Sequence, residues 1–216
     1  MDGKSGEKME EEISKFTMGF AYKPKEGRMK SCTKTKAIIC DIDGTLANIE
    51  HRRHFVDPSL AFDKGLAKYE VDANFNRIDL NLDGSRWKPD WKSFNESMIW
   101  DTPNEWCANL IRNMIQGCDC ERKYFPIFVT GREECWESVT ENQIYAWVNP
   151  RRSPCFALHM RPRKDYRPDV EIKREIYEKY IKDKYDVLFC IDDRDCVVKL
   201  WRSLGLVCLQ CSEGNF

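Results

Sequence analysis

Ala37-Ile38-Ile39-Cys40-Asp41-Ile42-Asp43-Gly44-Thr45-Leu46 is the stretch that decides how this chain folds. Residues of apolar strand character run straight into two carboxylates at i and i+2, followed by Gly-Thr. Side chains two apart on a strand share a face, so Asp41 and Asp43 are expected to project together from the strand's mouth. Two acids held that close repel unless a cation or a shared proton relieves them. The pair predicts a metal site, an acid/base pair, or both; a plain Asx-type turn is the alternative.

Outward from this strand the chain alternates. Asn48 to Asp101 is irregular and aromatic-rich, with Trp87, Trp91, Phe94 and Trp100, and Asp79–Gly84 suggests a hairpin turn. Thr102-Pro103-Asn104-Glu105 has the form of an N-cap, first-turn proline and capping-box acid for a helix to about Gln116, stopped by Gly117. Tyr124–Val129 reads as a buried strand, followed by Thr130-Gly131-Arg132 and a helix to about Trp147, ended by Asn149-Pro150. Phe156–Met160 is a short strand. Helical spacing over Asp169–Lys182 puts Val170, Ile172, Ile176 and Tyr180 on one face, and Val187–Ile191 is a further strand ending in Asp192-Asp193. A helix from Asp195 to Leu204 and a strand from Leu206 to Leu209 complete the pattern.

Strands alternating with helices indicate an α/β fold around a parallel sheet. Ligands in such sheets bind beyond the carboxyl ends of the strands. Asp41/Asp43, Thr130 and Asp192/Asp193 each follow a strand, so one cleft would gather them.

The 216 residues carry a net charge of -1, with 42% hydrophobic and 33% charged side chains. That balance fits a globular protein and excludes a wholly electrostatic role. No apolar run approaches a membrane span, and the polar start has no secretory signature. The eleven cysteines are therefore expected to be reduced thiols in a cytoplasmic protein; Cys118/Cys120 and Cys208/Cys211 lack a second pair at zinc-ribbon spacing. Residues 1–35 read as a flexible arm, basic from Lys23 onward, and Gly3-Lys4-Ser5 lacks the glycine and strand of a P-loop.

Asp41-Ile42-Asp43-Gly44-Thr45-Leu46, Val129-Thr130-Gly131-Arg132, Lys173 and Ile191-Asp192-Asp193 together resemble the haloacid dehalogenase (HAD) superfamily. The resemblance implies a Rossmann-like core at 36–50 and 102–216, its central parallel sheet flanked by helices, with a small cap inserted over 51–101. It also implies roles. Asp41 would be the nucleophile that becomes an aspartyl phosphate. Asp43 would protonate the leaving oxygen and then deprotonate water. Thr130, the Gly131 amide and Lys173 would bind the phosphoryl group. Asp41, Asp43 through its backbone carbonyl, Asp192 and Asp193 would hold Mg²⁺.

A longer run, Ile191-Asp192-Asp193-Arg194, then Val197-Val198, Trp201-Arg202 and Gly205, is similar to the 3′-phosphatase domain of phage polynucleotide kinase/phosphatases. Met160-Arg161, Asp169 and Lys173 precede it; Cys208, Gln210, Gly214 and Phe216 follow. This implies a phosphorylated nucleic-acid end as substrate, with Arg132, Arg161 and Arg194 as candidate contacts. Arg151, Arg152, Arg161, Arg163, Lys164 and Arg167 make residues 151–167 basic enough to meet a phosphate backbone. An aromatic cap could equally stack one nucleobase, which keeps a nucleoside monophosphate phosphatase as the alternative. His51 and His54, beside Arg52 and Arg53, read as a cap linker or surface helix, or as substrate contacts at the cleft mouth. An inactive nucleic-acid-end binding module would be expected to have lost one of Asp41, Asp43, Lys173 or Asp192; none is lost. DNA or RNA, 3′ or 5′ phosphate and oligomeric state stay open.

Overall fold

The computed structural model describes residues 34–115, 124–148 and 156–214. The N-terminal arm up to Thr33, the helix stop at 116–117, Cys118, Cys120, Asn149-Pro150, Arg151, Arg152 and Phe216 lie outside them. The strands are β1 (Thr35–Cys40), β2 (Ala47–Asn48), β3 (Ala67–Val71), β4 (Arg77–Asn81), β5 (Thr102–Pro103), β6 (Phe125–Glu133), β7 (Ala157–Arg161), β8 (Tyr185–Asp192) and β9 (Cys208–Gln210). Five of them form one parallel sheet in the order β7-β6-β1-β8-β9.

Alternation along the central strands builds two cores. Ile38 and Cys40 of β1, Phe128 of β6 and Ile191 of β8 face one side, where Cys107, Ala108 and Ile111 of the Glu105–Ile115 helix and Ile144 of the Glu137–Val148 helix cover them. Ala37, Ile39, Ile127 and Cys190 face the other, under Ile172 and Ile176 of the Asp169–Ile176 helix and Val197 and Trp201 of the Asp195–Ser203 helix. A fully buried isoleucine in either layer contributes about 1.5–3 kcal/mol. Covered on both faces, β1 reads as a continuous apolar run, as parallel strands do.

Local chemistry corrects two sequence expectations. Thr102 and Pro103 do not start a helix; they pair antiparallel with Asn48 and Ala47, and the helix begins at Glu105. Asn104 takes over the start: its carbonyl accepts from Cys107 and Ala108, and its amide donates to the Thr45 and Ala47 carbonyls. Tyr180 is not on the core face. A π-helical turn over Tyr177–Ile181 adds a residue, so Ile181 returns to the core and Tyr180 stays 36% exposed. The main hairpin is β3–β4, in register from Ala67↔Asn81 to Val71↔Arg77, while Asn81–Ser85 forms a second tight turn with Gly84 at φ +88°.

The insertion leaves after β2 and returns at β5, so its two ends lie side by side. Between them run a 3₁₀ turn (Arg53–Phe55), a helix (Pro58–Asp63), the hairpin, a helix (Trp91–Glu96) and a second 3₁₀ turn (Ser97–Trp100). Asp57 caps the first helix by accepting from Ser59 and Leu60 N–H, with Pro58 in the first turn. The described residues form one compact unit. Among the described residues no helix is long and apolar enough to cross a membrane.

Candidate active site

The carboxyl ends of β1 and β8 bring Asp41, Asp192 and Asp193 together; one carboxylate oxygen of each lies within 4.8 Å of the others. Asp41 follows the last residue of β1, and its N–H donates to the Ile191 carbonyl. All three are at least 96% buried. Lys173, buried on the neighbouring helix, donates through Nζ to Asp41 Oδ1 at 2.6 Å and Asp192 Oδ2 at 3.0 Å, with Asp169 Oδ2 at 3.5 Å. Burial alone would lower its pKa, but Asp169, Asp192 and Asp41 outweigh it and hold the ammonium charged well above its usual range. Lys173 is thus the counter-ion of an acidic cluster, not a solvated helix lysine.

One cation does not balance that cluster. Burial pushes the Asp41 carboxyl well up; Lys173 pulls it down, and Asp192, Asp193 and Asp169 push it further up. Burial and then Asp192 raise Asp193 to about 6. Asp192 has two further donors, Trp201 Nε1 on Oδ2 and the Arg194 N–H on Oδ1. Asp193 Oδ1 is buried with no hydrogen-bond partner among the described residues. An orphaned buried carboxylate oxygen is costly, and oxygen-only ligands suit a hard divalent cation. Asp41, Asp192 and Asp193 are the residues fit to hold one. Gly44 makes room for them: at φ +83°, a Cβ there would sit 2.2 Å from Asp193 Oδ2.

Asp43 takes a different direction from Asp41. Its carboxylate is not part of the acidic cluster; Oδ1 accepts from Arg132 Nε (2.9 Å), Arg132 Nη2 (2.6 Å) and Arg52 Nη2 (2.7 Å). The strand ends at Cys40, and the turn closed by Thr45 and Ala47 N–H on the Ile42 carbonyl lets the two acids diverge. Burial pushes the Asp43 carboxyl up, but Arg132 and Arg52 prevail and hold it below its ordinary value.

The arginines are themselves locked. Arg132 spends its remaining donors on Asp101 Oδ2, Thr140 Oγ1 and Gln143 Oε1, and it is 3% exposed. It therefore faces inward as a support for Asp43, which corrects its reading as a substrate contact. Arg52 is fully buried, bonds both oxygens of Asp101 and stacks 4.1 Å over the Phe94 ring. Sequence reasoning missed Arg52 and Asp101; a buried arginine inside a His-Arg-Arg-His run looks like any surface charge cluster.

Thr130 is fully buried, and its Oγ1 accepts the Arg132 N–H. A Cβ on Gly131 would lie 2.8 Å from Asp169 Oδ1, so glycine allows β6 to approach the Lys173 helix. Arg161 donates to the Gly131, Asp165 and Arg167 carbonyls and to Asp169 Oδ1. Its guanidinium too is engaged within the protein, a correction to its reading as a substrate contact. Arg194 is part-exposed, 3.7 Å from Asp169 Oδ2. His51 donates through Nε2 to the Ser97 carbonyl oxygen at 3.2 Å, and His54 stacks on Phe55. Cys208 and Cys211 are free thiols, the first buried in β9 and the second 3.5 Å from Thr45 Oγ1.

Residues 80–216 match the family model of the polynucleotide kinase PNKP phosphatase domain. The chain belongs to this family. A PNKP-type phosphatase domain is a HAD-type phosphatase, and Asp192, Asp193 and Lys173 lie within the matched residues. The match begins after Asp41 and Asp43, but likeness to solved structures extends over them. A chain of the Pnkp1/Rnl/Hen1 RNA repair complex is 26% identical with a TM-score of 0.58, covering 96% of this chain and 54% of its own length. A chain of a second Pnkp1/Rnl/Hen1 complex is 27% identical with a TM-score of 0.57, covering 95% and 61%. A protein of Autographa californica nuclear polyhedrosis virus, named for bifunctional polynucleotide kinase/RNA ligase activity, is 27% identical over 171 residues. That alignment takes in 79% of this PNKP-type chain but 18% of the viral protein, so the chain spans only part of each relative.

Proposed function

We propose that the chain is a Mg²⁺-dependent polynucleotide 3′-phosphatase working through an aspartyl phosphate on Asp41. The observation that carries this reading is the Lys173 ammonium held between Asp41 and Asp192, beside the unpartnered Asp193 Oδ1. The names of the relatives, all polynucleotide kinase or RNA repair proteins, support a nucleic-acid end as the substrate.

Asp41 attacks phosphorus in line while the P–O bond to the nucleoside 3′-oxygen breaks. Lys173 neutralises charge on Asp41 and the phosphoryl oxygens, and Thr130 and the Gly131 amide orient them. Asp43 gives its proton to the departing oxygen. In the second step Asp43 takes a proton from water as that water attacks the aspartyl phosphate, freeing Asp41 and inorganic phosphate. The proton gained there re-arms the acid for the next turnover. Because Arg132 and Arg52 favour its carboxylate form, Asp43 is a strong donor in the first step and a weak base in the second. Asp41, Asp192 and Asp193 would hold Mg²⁺, which would supply Lewis-acid neutralisation of phosphoryl charge when bound.

The test is phosphate release with Mg²⁺ from a 3′-phosphorylated oligonucleotide, a nucleoside 3′-monophosphate and a nucleoside 5′-monophosphate. Preference for the oligonucleotide, absent in Asp41→Asn, is the expected result. Preference for either monomer makes the enzyme a nucleotidase. Turnover by Asp41→Asn near the native rate removes Asp41 as the nucleophile.

A further inference from the structure

The loop between β7 and the Lys173 helix, Pro162–Pro168, is built from both ends. Arg161 holds its far side through the Asp165 (3.0 Å) and Arg167 (2.6 Å) carbonyls while its Nε is fixed on the Gly131 carbonyl (3.0 Å). Arg167 forks onto Asp165 and onto Glu175 of the helix. The Asp165 N–H closes a turn on the Pro162 carbonyl, and the Lys164 N–H donates to Glu133 Oε2. Lys164 sits at φ +61°, a conformation a lysine adopts only when its surroundings impose it.

The side chains on this rigid tip are not used by the fold. Tyr166 is 85% exposed, and Arg163 and Lys164 are exposed with no ion-pair partner among the described residues. Of the six basic residues at 151–167, Arg161 and Arg167 are consumed internally and Arg151 and Arg152 lie outside the described residues, so Arg163 and Lys164 remain. A phenol ring beside a guanidinium and an ammonium is the chemistry that stacks a base and neutralises phosphates of a single strand. Arg161 ties this group directly to Gly131 and Asp169, the edge of the phosphate site.

We infer that Arg163, Lys164 and Tyr166 form a single-strand subsite that grips the nucleotides next to the terminal phosphate. Tyr166 stacks on a base, and Arg163 and Lys164 meet the flanking phosphodiesters. The subsite rests on the nucleic-acid-end reading above and gives it a reason to favour polymer over monomer.

The test uses the full chain with Mg²⁺, comparing Tyr166→Ala, Tyr166→Phe and the Arg163→Ala/Lys164→Ala pair with wild type. Substrates are a nucleoside 3′-monophosphate, single-stranded 3′-phosphorylated oligomers of increasing length, and p-nitrophenyl phosphate. Wild-type kcat/KM is expected to rise about tenfold or more from monomer to oligomer. Tyr166→Ala and the double variant each raise the oligomer KM about tenfold, the scale of one lost base stack or two lost phosphate contacts. Tyr166→Phe keeps the wild-type value, and p-nitrophenyl phosphate hydrolysis is unchanged throughout. The double variant also flattens the dependence of log KM on log salt by about 1.4, two contacts' worth for a single strand. Oligomer cleavage by wild type with KM unchanged in both variants overturns the subsite alone. A wild type that cleaves monomer as well as oligomer overturns the polymer reading and the subsite with it.

Discussion

Arg132 places two of its N–H groups, Nε and Nη2, on a single oxygen of Asp43, Oδ1, at 2.9 and 2.6 Å. Arg52 reaches the same oxygen, so the three hydrogen bonds to this carboxylate all fall on Oδ1 and the side chain keeps 24% of its surface open. One oxygen anchors the group and leaves the other to the proposed proton transfer. Replacing Asp43 with Asn preserves an acceptor but removes the proton. Turnover of a nucleotide ester should fall about 10²–10⁴-fold. A p-nitrophenyl ester, whose leaving group needs no proton, should still give a burst of phenolate followed by slow release of phosphate; stopped-flow absorbance reads both phases.

Asp101 is the shared base of this arrangement, bonded to Arg52 through both oxygens and to Arg132 through Oδ2. Its removal in Asp101→Ala leaves two buried guanidinium groups with only Asp43 between them. Breaking a buried pair on one side costs about 3–5 kcal/mol. Urea unfolding of Asp101→Ala should show that loss in the midpoint at unchanged slope, and a loss below about 1 kcal/mol would mean the network is not closed in solution.

Lys173 balances Asp41, Asp192 and Asp169. Lys173→Met should lower kcat about 10²–10³-fold, as loss of one preorganised charge does. The same variant should gain more thermal stability from Mg²⁺ than wild type, because its carboxylates have no other cation. Differential scanning fluorimetry with and without Mg²⁺ measures this.

The acidic cluster sets a pH window for the metal-free protein. Asp193 is raised to about 6 and Asp41 is raised as well. A carboxyl raised in the folded state binds more protons there than unfolded, so stability is full below its ordinary value near 4 and is lost as pH rises through about 6. Without divalent cation, the melting temperature should fall from pH 4.5 to 6.5. The stabilisation by Mg²⁺ should grow over that interval, since the cation binds the ionised forms.

Gly44 and Gly65 both have positive φ, +83° and +69°. A Cβ on Gly65 meets nothing within 4 Å, whereas on Gly44 it falls 2.2 Å from Asp193 Oδ2. Gly65→Ala should cost about 1–2 kcal/mol of backbone strain alone and leave activity intact. Gly44→Ala should destabilise more and abolish Mg²⁺ binding, read by isothermal titration calorimetry.

The core elements were legible because β1, β6 and the end of β8 are buried on both faces, which leaves apolar runs bounded by polar residues. The acids at their ends could be read as one cleft for the same reason. The insertion was opaque: β3 carries Lys68, Tyr69, Glu70 and Val71, mostly exposed, so no alternation marks it. Thr102-Pro103 had the composition of a helix start, and its pairing with Ala47 and Asn48, fifty-odd residues away, is invisible locally. Arg52 and Asp101 escaped, and Arg132 was read as a substrate contact, because burial, not residue type, separates a structural charge from a substrate-binding one.

Strands β2 and β5 bring the two ends of the insertion together, which makes it resemble a detachable module. Arg52 and Asp101 stand just inside those ends and fix Asp43, the proposed proton donor, in the core. A graft that exchanged everything between the two short strands would carry Arg52 and Asp101 away with it and leave Asp43 without one of its two anchors. Only an exchange that keeps both stems, with residues 49–55 and 97–101 in place, would let the insertion diverge while Asp43 stays anchored. Divergence of the insertion is therefore confined to its middle, between residues 56 and 96.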